Sequence, residues 1–414
     1  MKFVHAADLH LDSPLTGLSV YPGAPLEAIR GATRQAFESL VELCVDERAE
    51  LLVIAGDVYD GDWKDFGTGL YLRAQLTRLR EEGIEVVMIR GNHDAASVIT
   101  RNLRLPGIHV LAHDRPSSVV LEDLGAVVHG QSFATREVRE NLAGGYPDPV
   151  ADLFNIGLLH TCLDGHSEHE SYAPCRLGEL VARGYDYWAL GHVHQHAVRH
   201  QTPHVVFAGN IQGRQIRECG PKGATLVEVT EDQTTVCHRV LDHVRFKRVS
   251  LHADGVSDEI ELLERAELTL RAAIAEADGR LLAARIEIDG VTAAHGLLVR
   301  ERERLDCELR GLASDLGVEQ VWVERIQWQT AAPSSQAIGE DAVGETLKVL
   351  DRASEDPQIL QTLADGLRPL ALKLPAEVKT GPDGIDPSDP ETLARILEDV
   401  RRELPSMLIE GTPV

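Results

Sequence analysis

What the sequence lacks narrows it first. No apolar run among its 414 residues approaches the ~18 needed to span a bilayer, so no membrane span is expected. The opening MKFVHAADLH has neither the basic n-region nor the apolar h-region of a secretory signal. It reads as a strand running into a polar loop, and a cytoplasmic protein is expected. Six cysteines (Cys44, Cys162, Cys175, Cys219, Cys237, Cys307) are scattered without a CxxC pair, which excludes a disulfide framework and a zinc knuckle and leaves buried or idle thiols. Positive charge is scarce: 41 Lys and Arg against 66 Asp and Glu give a formal net charge of -25. Avid, autonomous nucleic-acid binding needs a basic footprint, so a nucleic-acid substrate must be held by a local patch or a partner. From Thr330 onward 16 acidic residues face 8 basic ones, so the tail carries about a third of the excess. There is no internal repeat and no long low-complexity tract.

What is present is a soluble composition, 43% hydrophobic, on a chain long enough for two or three domains. Short β-rich runs alternate with helical stretches to about residue 245. The expected strands are Lys2 to His5, Leu51 to Ala55, Glu85 to Ile89, Ile108 to Ala112, Ala126 to Gly130, Asn155 to Leu159, Tyr187 to Leu190, Val205 to Ala208 and Ala224 to Val229. Helices are expected over Leu26 to Ala49 and Gly69 to Glu82, giving repeated β-α-β units and then a mixed, two-layered sheet. A second rhythm starts near Arg245: strand to Leu251, helix Ser257 to Glu276, strand Ala283 to Asp289, helix His295 to Ala313, strand Gln320 to Gln327. Ala331 to Ser335 reads as a linker. Beyond it, Leu360, Leu363, Leu367 and Leu370 form one helical stripe, and Leu393, Ile396, Leu397 and Val400 another. Each stripe fits packing on this protein's own body or docking of a partner helix. The division is residues 1–243, 244–330 and 336–414.

Five short motifs carry the chemistry. Asp8-Leu9-His10 follows the first strand, Gly56-Asp57-Val58-Tyr59-Asp60 the second, and Gly91-Asn92-His93-Asp94 the third. His160 ends the Asn155 strand, and Gly191-His192-Val193-His194 ends the Tyr187 strand. Ligands of open α/β sheets bind at the carboxyl ends of strands, and every motif sits where an apolar strand gives out. Alone, a DxH or a Gly-Asp is usually a turn; five in order make a site. Oxygen donors from Asp and Asn, four imidazoles and no thiolate suit a pair of Mn²⁺, Fe or Zn²⁺ ions held by Asp8, His10, Asp57, Asn92, His160, His192 and His194. Asp57 is the natural bridging carboxylate. Such a pair generates hydroxide and neutralises phosphate oxygens during in-line attack. His93 is free to protonate the leaving oxygen, with Asp60 fixing its tautomer.

The set D-x-H, G-D-x-x-D, G-N-H-D, a lone His and G-H-x-H resembles the calcineurin-type metallophosphoesterase superfamily. His5-Ala6-Ala7-Asp8-Leu9-His10-Leu11-Asp12-Ser13-Pro14, Ala55 to Asp60, Gly209-Asn210 and Gly220-Pro221-Lys222-Gly223 resemble the SbcD-like (YhaO-type) DNA repair exonucleases. The superfamily motifs cover residues 1 to about 230. The resemblance implies a two-sheet β-sandwich flanked by helices, with a smaller α/β capping domain and a helical C-terminal tail. It implies that Asp8, His10, Asp57 and His194 bind one metal, that Asp57, Asn92, His160 and His192 bind the other, and that His93 is the catalytic histidine. It further implies a manganese-dependent nuclease whose second domain helps admit DNA, whose tail docks an SbcC-like coiled-coil ATPase, and which dimerises through the phosphodiesterase domain. Asp60 departs from archaeal and eukaryotic relatives, which tend to carry a histidine there; the balance of exonuclease and endonuclease activity turns on that position.

Arg90, Arg214 and Arg217 lie beside the motifs and are candidates to clamp phosphate, with salt bridges as the competing reading. His166, His169, His196, His200 and His204 read as rim or surface residues, His113 and His129 as structural, and Trp322 with Trp328 as packing of the small domain. Two rival functions stand beside the nuclease: a phosphoesterase for a small nucleotide or phosphoprotein, and a non-catalytic scaffold for an ATPase. RNA is a further alternative substrate.

Overall fold

The computed structural model describes residues 1–13, 25–60, 66–96, 103–164, 172–333, 342–374, 379 and 384–408. These fall into two compact units that divide between Arg245 and Phe246.

The first unit is a sandwich of two six-stranded sheets. Strands β1 (Lys2–Ala6), β2 (Leu51–Ala55), β3 (Glu85–Ile89) and the short β4 (His109–Val110) run parallel. Beside them lie β11 (Gly223–Val229), antiparallel to β1, and β12 (Thr234–Val240) at the edge, giving the order β12-β11-β1-β2-β3-β4. The other sheet has the order β5-β6-β7-β8-β10-β9. Here β6 (Ala126–Gly130), β7 (Phe154–His160), β8 (Tyr187–Gly191) and β10 (His204–Phe207) are parallel, while β5 (Ser117–Leu121) and β9 (Ala197–Gln201) are antiparallel edges.

Strand alternation assigns the layers. Along β1, Phe3 and Ala7 face the opposite sheet, meeting Tyr187, Val206 and Ile156, while Val4 and Ala6 face outward. The outward residues pack under α1 (Leu26–Asp46) and α2 (Phe66–Glu81) through Phe37, Leu40, Leu72 and Leu76, and the short α3 (Asn92–Ala96) follows β3. On the far side, Trp188, Leu190 and Phe207 pack with Leu180 of α4 (Leu177–Ala182) and with Tyr146 and Tyr185. Central strands are thus covered on both faces and read as continuous apolar runs such as LLVIA, as buried parallel strands must. This is the helix-flanked two-sheet sandwich that the sequence implied. Strands β5, β9 and β12 were not expected from sequence. All three are sheet edges, half exposed and mixed with polar residues, so they lack the apolar pattern that marks a strand.

In the second unit, the sheet β13-β14-β15 comprises Val244–His252, Leu281–Val291 and Val321–Ala331, with β14 and β15 parallel. Helices α5 (Glu259–Glu276) and α7 (Arg302–Gly317) bury Leu262, Leu270, Leu305 and Leu309 against it. The helix expected from His295 to Ala313 is two, α6 (His295–Arg300) and α7, parted at Glu301. Between Ala284↔Val323 and Arg285↔Arg325 the register slips by one, and the residue passed over, Glu324, takes the buried Arg285 guanidinium at 2.7 and 2.8 Å. Beyond β15 come α8 (Ala342–Glu355), α9 (Pro357–Ala371) and α10 (Pro390–Leu408); the expected linker Ala331 to Ser335 begins on the last residue of β15, and its last two residues lie outside the described ones. The two tail stripes meet each other: Leu360 and Leu367 of α9 cluster with Leu393, Ile396 and Leu397 of α10. Leu370 (51%) and Val400 (40%) remain exposed. No helix among the described residues is long and apolar enough to cross a membrane, and all six cysteines are free.

The His5 ring is fully buried between the sheets, pairs with the Tyr187 hydroxyl at 3.1 Å, and is pushed by burial from 6.5 down to about 3. Its folded pKa lies below the unfolded value, so the unfolded chain binds more protons between the two and stability falls as pH drops through that window. Denaturant midpoints should therefore decrease from pH 6.5 toward pH 4, and His5→Asn should flatten that slope; an unchanged slope in the variant would refute the assignment.

Candidate metal centre

Each motif begins where a parallel strand ends, and the chain turns there at a cost. Asp8, His10, Asp57 and His192 have φ of 51, 43, 53 and 96°, in the left-handed region that side chains other than glycine avoid. Such residues cost ~1–3 kcal/mol each and persist only when the surroundings fix them. Backbone bonds do so: Asp8 N–H donates to Gly56 O at 3.0 Å, His10 N–H to Asp57 O at 3.1 Å, and Leu11 N–H to Val58 O at 2.9 Å. Two glycines leave the room required. A Cβ on Gly91 would stand 2.2 Å from Asp57 Oδ1, and one on Gly56, whose φ is +93°, 2.7 Å from His160 Nδ1.

The side chains so placed gather into three compact groups of ligand atoms: Asp8, His10 and His194; Asp8, Asp57 and His160; and His10, Asp60 and His93. His10 Nε2 faces His194 Nε2 at 3.3 Å, with Asp8 Oδ1 4.0 Å from the latter. His160 Nε2 lies 2.9 Å from Asn92 Oδ1 and 3.4 Å from Asp57 Oδ2. At the mouth, His93 Nδ1 donates to Asp60 Oδ1 at 2.8 Å, and the His93 side chain is 31% exposed. His192 belongs to none of the groups; its ring packs edge-on against His160 with centroids 5.2 Å apart, and its backbone N–H donates to Asp8. Asp8 is common to two of the groups, of which the one with Asp57 and His160 is fully buried, whereas Asp57, expected at the bridge, belongs to one. Asp57 spends Oδ1 on the backbone N–H of His93 at 2.9 Å, leaving Oδ2 for His160.

The donor chemistry fits cations. His160 Nδ1 donates to Ala55 O at 2.9 Å, so the ring, when neutral, turns a bare Nε2 toward Asn92 Oδ1 and Asp57 Oδ2. His194 Nδ1 donates to Glu218 Oε1 at 2.8 Å and likewise presents a bare Nε2. His10 Nδ1 is buried with no hydrogen-bond partner. Acceptors converging without donors are repulsive unless positive charge lies between them. Electrostatics agree. Burial works to raise Asp57, but His160 and His93 outweigh it and hold the carboxyl well below the usual range. Burial opposes protonation of His160, yet the Asp57 carboxylate lifts it to about 9, so the pocket attracts positive charge. Burial and the Arg214 charge press His10 well down. At the mouth, Asp60 and Asp57 overcome burial and raise His93, as a proton donor requires.

Two contributors were given no role from sequence. The buried Asp94 carboxylate accepts three backbone N–H groups, from Val58, Tyr59 and Gly91, stapling the second motif to the third. Glu218, in the loop before β11, holds His194 and Arg214; a glutamate in an irregular loop carries no pattern that would mark it. Of the arginines, Arg214 is tied to Asp60 at 3.3 Å and Glu218 at 3.1 Å, Arg90 is half-buried with its backbone bonded to Ser132 and Phe133, and Arg217 is exposed. His166 and His169 lie outside the described residues. His196 stacks on His238 at 4.3 Å, and His200 and His204 sit on the edge hairpin β9–β10. His129 is held by Ser118 and Asn155, His113 is exposed, Trp322 is buried, and Trp328 donates to Asp306 at 2.8 Å.

Removing the Asp94 carboxylate leaves three buried N–H groups without an acceptor. Asp94→Ala should lower the unfolding free energy by ~2–4 kcal/mol, measured by denaturant titration. A loss below ~0.5 kcal/mol would mean the staple is dispensable.

Comparison with known proteins agrees with this geometry. Residues 1–196 match the calcineurin-like phosphoesterase family and residues 246–331 the middle domain of metallophosphoesterase YhaO. The chain is 30% identical over 360 residues to metallophosphoesterase YhaO of Bacillus subtilis (strain 168), spanning 85% of this chain and 88% of that one. It is 30% identical over 214 residues to DNA double-strand break repair protein Mre11 of Methanopyrus kandleri, spanning 47% of this chain and under half, 44%, of that one. A dimetal phosphatase from Danio rerio aligns over 58% of this chain and 96% of its own at a TM-score of 0.36 and 11% identity. With its metal-fitting centre at the strand ends and YhaO matched along 88% of its length, the chain belongs to the calcineurin-like metallophosphoesterases, a family of metal-dependent hydrolases that bind two divalent metals.

Proposed function

We propose that this protein is a two-metal phosphodiesterase that cuts DNA as an exonuclease or endonuclease in repair. The observation that carries the reading is the Asp60–His93 pair, 2.8 Å apart at the mouth of the buried ligand groups. Asp8, His10, Asp57, Asn92, His160, His192 and His194 would hold two divalent ions, which when bound would supply hydroxide at neutral pH and offset the charge on the phosphate. Oxygen and imidazole donors without thiolate suit Mn²⁺, with Fe or Zn²⁺ as the other candidates. Asp60 accepts from His93 Nδ1 and leaves Nε2 as the atom that protonates the departing oxygen. Arg90, beside the third motif, is the candidate phosphate contact.

The similarity to a protein named for DNA double-strand break repair supports DNA as the substrate. A net charge of -25 disfavours unaided DNA binding, so in this reading an SbcC-like coiled-coil ATPase supplies much of the grip. Residues 1–243 form the nuclease domain, 244–330 a capping domain that helps admit DNA, and 336–414 the segment that docks the ATPase. The protein works in the cytoplasm, as a dimer through its nuclease domain.

The test is nucleotide release from labelled linear double-stranded DNA with Mn²⁺, with a nucleotide monophosphate ester as control. His93→Ala should lose at least ~100-fold in rate while still binding two Mn²⁺ per chain. Cleavage of the ester alone would overturn the DNA assignment and favour a small-molecule phosphoesterase. Full activity of His93→Ala would remove His93 from the chemistry.

A further inference from the structure

An unbroken chain of short polar contacts joins the metal ligand His194 to the proton donor His93. His194 Nδ1 donates to Glu218 Oε1 at 2.8 Å, and the same oxygen accepts from Arg214 Nη2 at 3.1 Å. Arg214 Nη1 reaches Asp60 Oδ2 at 3.3 Å, and Asp60 Oδ1 accepts from His93 Nδ1 at 2.8 Å. Glu218 is 6% exposed and fully engaged, since Oε2 also accepts the Arg214 backbone N–H at 2.8 Å and Asn210 Nδ2 at 3.0 Å. An acceptor-only carboxylate at Nδ1 dictates that His194 keeps its proton there and turns a bare Nε2 toward His10 and Asp8. Arg214 directs one terminal nitrogen to each carboxylate, and its Nε is buried without a partner.

We infer that Glu218 and Arg214 are positioning residues of the hydrolytic centre. Glu218 sets the tautomer and aim of His194, and Arg214 locks that carboxylate to the Asp60–His93 pair, so metal ligand and proton donor are placed by one relay. In this reading Arg214 positions the two carboxylates rather than clamping phosphate. The inference rests on the two-metal reading of the site but not on the identity of the substrate.

The test compares native protein with Glu218→Ala, Glu218→Gln, Arg214→Lys and Arg214→Met. Mn²⁺ is titrated into metal-stripped protein by calorimetry, and hydrolysis of bis(p-nitrophenyl) phosphate is followed at saturating Mn²⁺. Glu218→Ala should weaken one of the two Mn²⁺ binding events by ~10–100-fold and leave the other unchanged. Glu218→Gln, which keeps the shape and loses the charge, should fall between. Arg214→Met should weaken the same event, with Arg214→Lys retaining more of it. For Arg214→Lys the loss should appear in kcat with KM little changed, because a positioning residue does not bind substrate. Native affinity for both ions in the Glu218 variants overturns the role of Glu218. Native affinity in Arg214→Met, or a raised KM with unchanged kcat in Arg214→Lys, overturns that of Arg214. Should Glu218→Ala or Arg214→Met not fold, as judged by its thermal transition without metal, Glu218→Gln and Arg214→Lys decide. Should the native protein bind two Mn²⁺ yet hydrolyse no diester, the proposed function falls, while the Mn²⁺ titrations still decide the positioning roles.

Discussion

The centre depends on a surplus of hydrogen-bond acceptors in a place from which water is excluded. Asp8, Asp57, Asn92, His10 and His160 are all buried, and their lone pairs face one another across a few ångströms. In a low dielectric that arrangement is repulsive unless cations neutralise it, so the apoprotein must hold these groups together against their own electrostatics. The restraint comes from the backbone. Four ligand-bearing residues are bent into the left-handed region, and loop-to-loop bonds from Asp8, His10 and Leu11 to Gly56, Asp57 and Val58 keep them there.

The sandwich explains why this restraint is affordable. Parallel strands β1, β2 and β3 in one sheet and β7, β8 and β10 in the other deliver their carboxyl ends to the same rim, each anchored by residues buried on both faces. An isolated bridge between Ala7 and Asn210 and the bond from Thr161 N–H to Gly191 O extend the rim past the formal strand ends. Rigid strands therefore carry the strain, and Asp94 and Glu218 distribute it: one carboxylate staples two loops, the other aims an imidazole. Both are acceptor-only groups surrounded by donors, the inverse of the metal-binding pocket beside them.

The central strands and the five motifs were legible in the amino-acid order alone, because a strand buried on both faces must be a continuous apolar run and the polar residues that end it stand out. The edge strands β5, β9 and β12 were not, since half-exposed strands tolerate residues such as Arg199, His200 and Arg239. The stripes of α9 and α10 were visible as stripes, but sequence left their partners open; folding pairs Leu360 and Leu367 with Leu393 and Ile396. The chain by itself thus determined which polar motifs stand at the strand ends and where each strand gives out, both being local properties of spacing. Only the tertiary structure decided that Asp8 lies in two of the ligand groups, that Glu218 stands behind His194, and that Arg214, 154 positions from Asp60, is held between that carboxylate and Glu218, because such relations rest on contacts that no local pattern encodes.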